Sequence, residues 1–295
     1  MTAPSQAGAT VAPEAWAPSA LELERRTFRR QQATRSVLVA AASTIVLAAV
    51  AVVVLVNTPG WPRVQASFFD LGTAADAFPR VIEGLWLNLR VLVVAAISVL
   101  VVGIVLAALR TLRSPVFFPL RALAALYTDL FRGVPLIIVL FLVGFGVPGL
   151  DLGIPRMPPE FWGTIAIVLV YSAYVSEVFR AGLDAVHPSQ RLAARSLGLS
   201  QAKTLRLVLL PQAVRKVTPA LMNDFVAMQK DVGLVSVLGA VDAVRAAQIE
   251  TASAFNFTPY VLAGVLFVLL ALPMIRLTDW YTARMREREQ AGSIV

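Results

Sequence analysis

Long apolar runs, each closed by basic residues, set the pattern of this chain. Residues 36–56 carry no charge, and at about 1.5 Å per residue such a helix crosses roughly 30 Å of hydrocarbon. The run follows a charged stretch holding Glu22, Glu24, Arg25, Arg26, Arg29, Arg30 and Arg35. A cleaved leader would need a shorter apolar core nearer the start, so this run reads as a membrane anchor. A second run, 91–109, extends backward toward Val81 and stops at Arg110 and Arg113. The third, 123–147, holds Asp129, Arg132 and Pro135 in its first half and leaves through a Gly/Pro-rich exit at 144–155. The fourth, 161–179, ends at Arg180, and the last lies within 251–275, closed by Arg276 and by Arg284, Arg286 and Arg288.

Orientation follows from the basic residues, which are retained on the cytoplasmic side of a membrane. They gather before residue 36, at 110–121, at 180–216 and in the carboxyl tail. The alternate turns, 57–80, 148–160 and 242–258, carry few bases, balanced by acids. Both termini are therefore expected in the cytoplasm. Parity then requires a further crossing between Lys216 and Thr251, although Asp224, Lys230 and Asp231 make that stretch a poor span. The prediction is an all-α integral membrane protein with about six transmembrane helices.

Composition sharpens this picture. Apolar residues are 58% of the chain, above the roughly 45–50% of soluble domains. The net charge of +8 comes from bases that flank apolar runs instead of forming one basic face, which argues for topology signals and against nucleic-acid binding. Cysteine is absent and His187 is the sole histidine, which removes disulfide frameworks, thiol nucleophiles and Cys/His zinc sites. None of Lys203, Lys216 or Lys230 follows a glycine, so the chain carries no phosphate-cradling Gly-Lys-Ser/Thr loop.

The segment 181–210 is too long for a tight turn and too patterned for a slack loop. Pro188 and Ser189 suit a first helical turn, 190–197 has helix-forming composition, and Gly198 stands where a left-handed cap is needed. Ser200 then caps a second helix over 201–210, with Lys203 and Arg206 toward water and Leu205, Val208 and Leu209 as an apolar stripe. Two short helices joined at an elbow are predicted to project from the membrane.

Ala193-Ala194, then Gly198, then Val208-x-Leu210-Pro211 resembles the EAA signature of ATP-binding-cassette importer permeases. The stretches Phe131-Arg132-Gly133-Val134-Pro135-Leu136, 172–182 (SAYVSEVFRAG) and 230–239 (KDVGLVSVLG) resemble the branch that handles polar amino acids of the histidine, glutamine, glutamate and arginine class. The resemblance implies the type I importer permease fold in a bacterial cell membrane. With the composition and hydropathy of the rest, the chain is expected to divide into a disordered, basic tail (1–35), a first transmembrane helix (36–56), a permease core (81–280) with its elbow at 181–210, and a basic tail (281–295). The resemblance further implies a cytoplasmic ATPase dimer that binds ATP and Mg, so that this chain needs no cofactor and is not an enzyme. A second permease subunit, identical or related, and an extracytoplasmic solute-binding protein complete the expected partners. The elbow is then the coupling helix, with Leu192, Ala193, Ala194, Gly198, Val208, Leu210 and Pro211 as its docking residues. The signature usually carries Glu where this chain has Leu192, so that carboxylate's contact is missing while the small residues that admit close docking remain. A sister permease with the fuller coupling sequence is one explanation.

Charges within the apolar runs are the candidate substrate path: Arg90, Asp129, Arg132 and Lys230. Asp129 with Arg132, and Glu177 with Arg180, are spaced three apart and are expected to neutralise each other. Arg90 has only Glu83, seven residues back, as a local acid. Trp61, Phe161, Trp162 and Trp280 read as interfacial anchors. Competing classes fit less well. A self-sufficient secondary transporter of small polar solutes would show a repeated pair of broken helices, a membrane enzyme would need a carboxylate cluster that Glu83, Asp129 and Glu177 are not spaced to form, and a purely structural subunit gives no reason for the elbow's spacing.

Overall fold

Ser19 starts the first helix by accepting from the Glu22 amide at 3.3 Å, which satisfies one of the amides a helix start leaves open. Helix α1 (Ala20–Val56) then runs unbroken for 37 residues. Its charged early turns stay helical because Glu, Arg, Gln and Ala are good helix formers and Glu22 pairs with Arg26 one turn on at 3.1 Å. The tail expected over 1–35 is thus helical from Ala20. The computed structural model describes residues 19–112, 114–151, 153 and 155–292; positions 1–18 of that tail, and 293–295 of the carboxyl tail, lie outside the described residues. The chain divides into two compact units, Met1–Arg63 and Val64–Val295.

In the second unit, α2 (Trp61–Phe68) leads into α3 (Leu71–Thr111), whose start is capped by Asp70 Oδ1 accepting from Gly72 N at 2.8 Å. The second crossing is therefore a 41-residue helix that begins ten residues before the expected Val81. After α4 (Phe118–Gly133) the chain breaks and resumes as α5 (Leu136–Phe141), a wide π turn at Leu142–Gly146, and α6 (Val147–Gly149). The two halves meet at 109°, so the third crossing is a broken one and not the continuous helix expected over 123–147. The cause is local: a residue before proline is driven out of the helical region, and Val134, before Pro135, sits at φ −103°, ψ 129°.

Helix α7 (Pro159–Asp184) follows, then the short α8 (Pro188–Ser196) and α9 (Gln201–Thr204). A π turn at Leu205–Leu209 carries α9 directly into α10 (Leu210–Asp231). The second elbow helix therefore does not end at Leu210. Pro211 lies in the first turn of α10, where proline is tolerated, and the apolar stripe continues into the fifth crossing. A tight 3-10 stretch, Val232–Leu238, and Gly239 at φ +94° precede α11 (Ala243–Ala254), bent 53° from the rod before it. Residues 242–258, expected as a turn, thus hold a helix. Its small residues Ala243, Ala246 and Ala247 let it lie close on Ala77 and Val81 of α3. Helix α12 (Thr258–Gly292) closes the fold, running through the expected carboxyl tail. Among the described residues four helices are long and apolar enough to cross a membrane, or up to six if each bent pair counts as one span.

Helix α7 is the centre of this unit. Val91, Leu92, Ala95 and Val99 of α3 pack on Ile167, Tyr171 and Val175, with Met228 of α10 and Val232 and Val235 beyond it. On its other side Val139 and Leu140 of α5 meet Trp162, Ala166 and Val170, so Trp162 is a core residue and not a rim anchor. Phe161 and Trp280 are exposed, Trp280 beneath the Arg284 guanidinium at 5.3 Å from the ring centroid.

The tightest approach is between α3 and the start of α11. A methyl group on Gly84 would stand 2.5 Å from Ala243 N and 2.6 Å from the Asp242 carbonyl oxygen. Those are backbone atoms and cannot swing away. Gly84→Ala is expected to destabilise the protein by about 1–3 kcal/mol, read as a lower unfolding temperature in detergent. Gly264→Ala, where a methyl meets nothing within 4 Å, is the matched control and should leave that temperature unchanged.

Candidate functional site

The elbow is built from α7 outward. Gly182 lets α7 lie against Val217 of α10, where an added methyl would collide with the Val217 side chain. Val186, Leu209 and Ala213 form a small buried cluster beneath the turn, and Lys216 Nζ donates to the Ala185 carbonyl at 2.7 Å. His187 caps α8, its Nδ1 accepting from Ser189 N at 3.2 Å. This role was not read from the sequence, where a histidine is a rare cap. Gly198 adopts φ +79°, the left-handed cap that glycine takes without a Cβ penalty. Ser200 Oγ accepts from Lys203 N at 3.4 Å, starting α9.

Of the signature residues, Ala194 alone on α8 is buried, at 4% exposure. Ala193 is exposed and Leu192 is 67% exposed. Leu197 at the end of α8 is 82% exposed. Val208 is half-buried in the cluster beneath the turn, while Leu210 and Pro211 are exposed. The short helix is thus anchored through Ala194 and leaves the Leu192 and Leu197 side chains in the open.

The candidate path residues separate. Arg132 lies at the break of the third crossing, its guanidinium 6.0 Å from the Tyr174 ring centroid and 4.0 Å from Glu177, and its carbonyl accepts from Tyr174 Oη at 3.4 Å. Asp129 does not pair with it. Asp129, Arg90 and Lys230 are exposed and have no hydrogen bond or ion pair with the described residues. The expected Glu177–Arg180 pair forms, Arg180 Nε standing 3.1 and 3.2 Å from the two carboxylate oxygens. Glu177 also receives Arg110 of α3 at 2.7 Å. That partner is 67 residues away in sequence, so helical spacing could not reveal it.

Two further polar groups went unread. Tyr171, ring to ring with Tyr174 at 6.2 Å, donates to Asp231 at 2.8 Å. Asn88, almost wholly buried, donates from Nδ2 to the Val232 carbonyl at 3.2 Å and to Asp242 Oδ2 at 2.9 Å, and accepts from Ala243 N at 3.0 Å. Asp242 in turn accepts from Arg245 N at 2.8 Å. The signal for Asn88 is a polar amide between Glu83 and Arg90 on a helix expected to cross the membrane. Among the described residues no group of three or more His, Asp or Glu could hold a metal.

Gly198→Ala should raise the free energy of the elbow by about 1–2 kcal/mol through backbone strain, although a methyl there meets nothing within 4 Å. Faster amide hydrogen exchange over residues 199–204, with Gly198→Asn exchanging at a rate between Ala and wild type, is the expected result.

Residues 100–287 match the family described as binding-protein-dependent transport system inner membrane component. The arginine transport system permease protein ArtQ of Bacillus subtilis (strain 168) is 36% identical over 205 residues, 69% of this chain and 91% of the relative. A putative glutamine transport system permease protein GlnP of Rickettsia conorii is 36% identical over 193 residues, 65% of this chain and 86% of the relative. Among solved structures, an amino acid ABC transporter crystallised with histidines superposes with a TM-score of 0.67 at 32% identity, over 73% of this chain and 98% of that one. The MetNI methionine transporter, at 18% identity and a TM-score of 0.57 over 69% of this chain and 95% of that one, shares the fold. The described helices, the elbow and these matches together place the chain in the family of binding-protein-dependent transport system inner membrane components.

Proposed function

We propose that this chain is the permease subunit of an ATP-binding-cassette importer for a polar amino acid, and that a separate cytoplasmic ATPase docks on α8 and hydrolyses the ATP. The observation that carries the docking is α8 itself: a nine-residue helix fixed through Ala194 and the Val186–Leu209–Ala213 cluster, with Leu192 and Leu197 bare. Apolar side chains held out on an anchored helix are stabilised by a partner's cleft. Relatives named for arginine and glutamine transport support a polar amino acid as the solute. The basic residues around α8 and at both chain ends favour the elbow and both termini in the cytoplasm.

The charges left open fit a second permease subunit, identical or related, facing this one. A charge facing lipid at mid-bilayer costs about 2.5–3.5 kcal/mol on insertion scales. Asp129 on α4 and Lys230 on α10 have no partner among the described residues, so a water-filled path or a neighbouring permease is where they are stabilised. Arg132 with Tyr174 at the broken third crossing, and Asp231 with Tyr171 one turn back along α7, set basic, aromatic and acidic groups along α7, a suitable lining for a zwitterion. An extracytoplasmic binding protein delivers the solute in this reading.

Purification of the tagged chain from its native membrane should recover a Walker-motif ATPase, and Gly198→Asp should abolish that recovery while leaving the membrane yield within about twofold. A chain that comes alone from both preparations, and that moves amino acids on an ion gradient without ATP, would be a secondary transporter instead.

A further inference from the structure

Glu177 is a single carboxylate answering arginines from three helices. Arg110 reaches it from the end of α3 at 2.7 Å, Arg180 from the next turn of α7, and Arg132 from the end of α4 at 4.0 Å. Arg180 also reaches Asp184, the last residue of α7, at 2.9 Å. Three positive charges therefore share two carboxylates, and Asp184 is mostly in solvent, with 68% of its side chain exposed, against 21% for Glu177 and 16% for Arg110. The pair that joins α3 to α7 is the sheltered one, where attraction is screened least. Immediately beyond it come Ala185, held by Lys216 of α10, and the cap of α8.

We propose that Glu177 is a positioning residue for coupling: it clamps the ends of α3 and α4 to the root of the elbow, so that a push on α8 moves these helices with α7 as one body. The proposal rests on the coupling reading of α8. Its physical basis is the asymmetry of charge. With Glu177 present the three helices are drawn together; without it Arg180 keeps Asp184 while Arg110 and Arg132 lose their carboxylate, and like charges drive the helices apart. Helices tied only by side-chain packing can slide past one another by about 1–2 Å, whereas a shared ionic centre holds their ends in register.

The test uses the intact importer with its ATPase in vesicles, with nitroxide labels at Thr111, the end of α3, and Ala185, just after α7. In the wild type the distance between them should stay the same, and its distribution narrow, with and without ATP, Mg and vanadate. Glu177→Gln should keep the co-purified ATPase yet broaden the distribution and shift it by more than about 2 Å on nucleotide addition. Arg110→Gln should do the same, and Glu177→Asp should restore the wild-type behaviour. The proposal is overturned if the wild-type distance itself changes with nucleotide, or if both neutral variants stay narrow and unmoved. Should Glu177→Gln fail to assemble, Arg110→Gln decides alone. Failure of the coupling reading shows separately, as an ATPase absent from the wild-type preparation or retained by Gly198→Asp.

Discussion

A helix interrupted in apolar surroundings leaves backbone groups that water cannot satisfy, and this fold depends on answering them from neighbouring helices. At the break before α11 the answer is a clamp: Asn88 of α3 takes the Val232 carbonyl and the Ala243 amide, while Asp242 takes the Arg245 amide. At the break after α4 it is lighter, the Tyr174 hydroxyl donating to the Arg132 carbonyl. The first clamp requires close approach, which is why Gly84 lies directly against the Asp242–Ala243 backbone. The apolar packing on α7 supplies bulk stability; Pro135 sets the break after α4, and the two clamps satisfy backbone groups that the breaks leave open.

These breaks also explain what the sequence concealed. Long uncharged runs such as 36–56 and 91–109 declared themselves through length alone, because a membrane imposes its thickness on any helix that crosses it. The elbow was legible too, since Pro188, Gly198 and Ser200 each have a local backbone role. Helix α11 was not, because its short alanine-rich sequence is stabilised by Ala77 and Val81, far away in the chain. Likewise the spacing of Asp129 and Arg132 suggested a pair, yet Arg132 turns toward Tyr174 and Glu177. A rule about neighbours on one helix yields to partners on another when helices cross.

A chain of polar contacts winds around α7 from its middle to its end. Tyr171, Tyr174, Glu177 and Arg180 succeed one another at three-residue intervals and connect Asp231 of α10, the broken third crossing, Arg110 of α3 and finally the elbow. The same helix thus borders the candidate path near its middle and the docking element at its end. A displacement at the elbow and a rearrangement around the path are two ends of one rigid rod, and no separate relay between them is required.

Leu192 and Leu197 on α8 carry a consequence for the life of the chain in the cell. Two bare leucines on a projecting helix are the kind of surface that chaperones and proteases engage when a subunit lacks its mate. If an ATPase docks on α8 as proposed, copies synthesised in excess of it carry this tag and those that find it bury the tag by assembling. On that reading, matched synthesis of the two polypeptides is favoured by the permease's own surface.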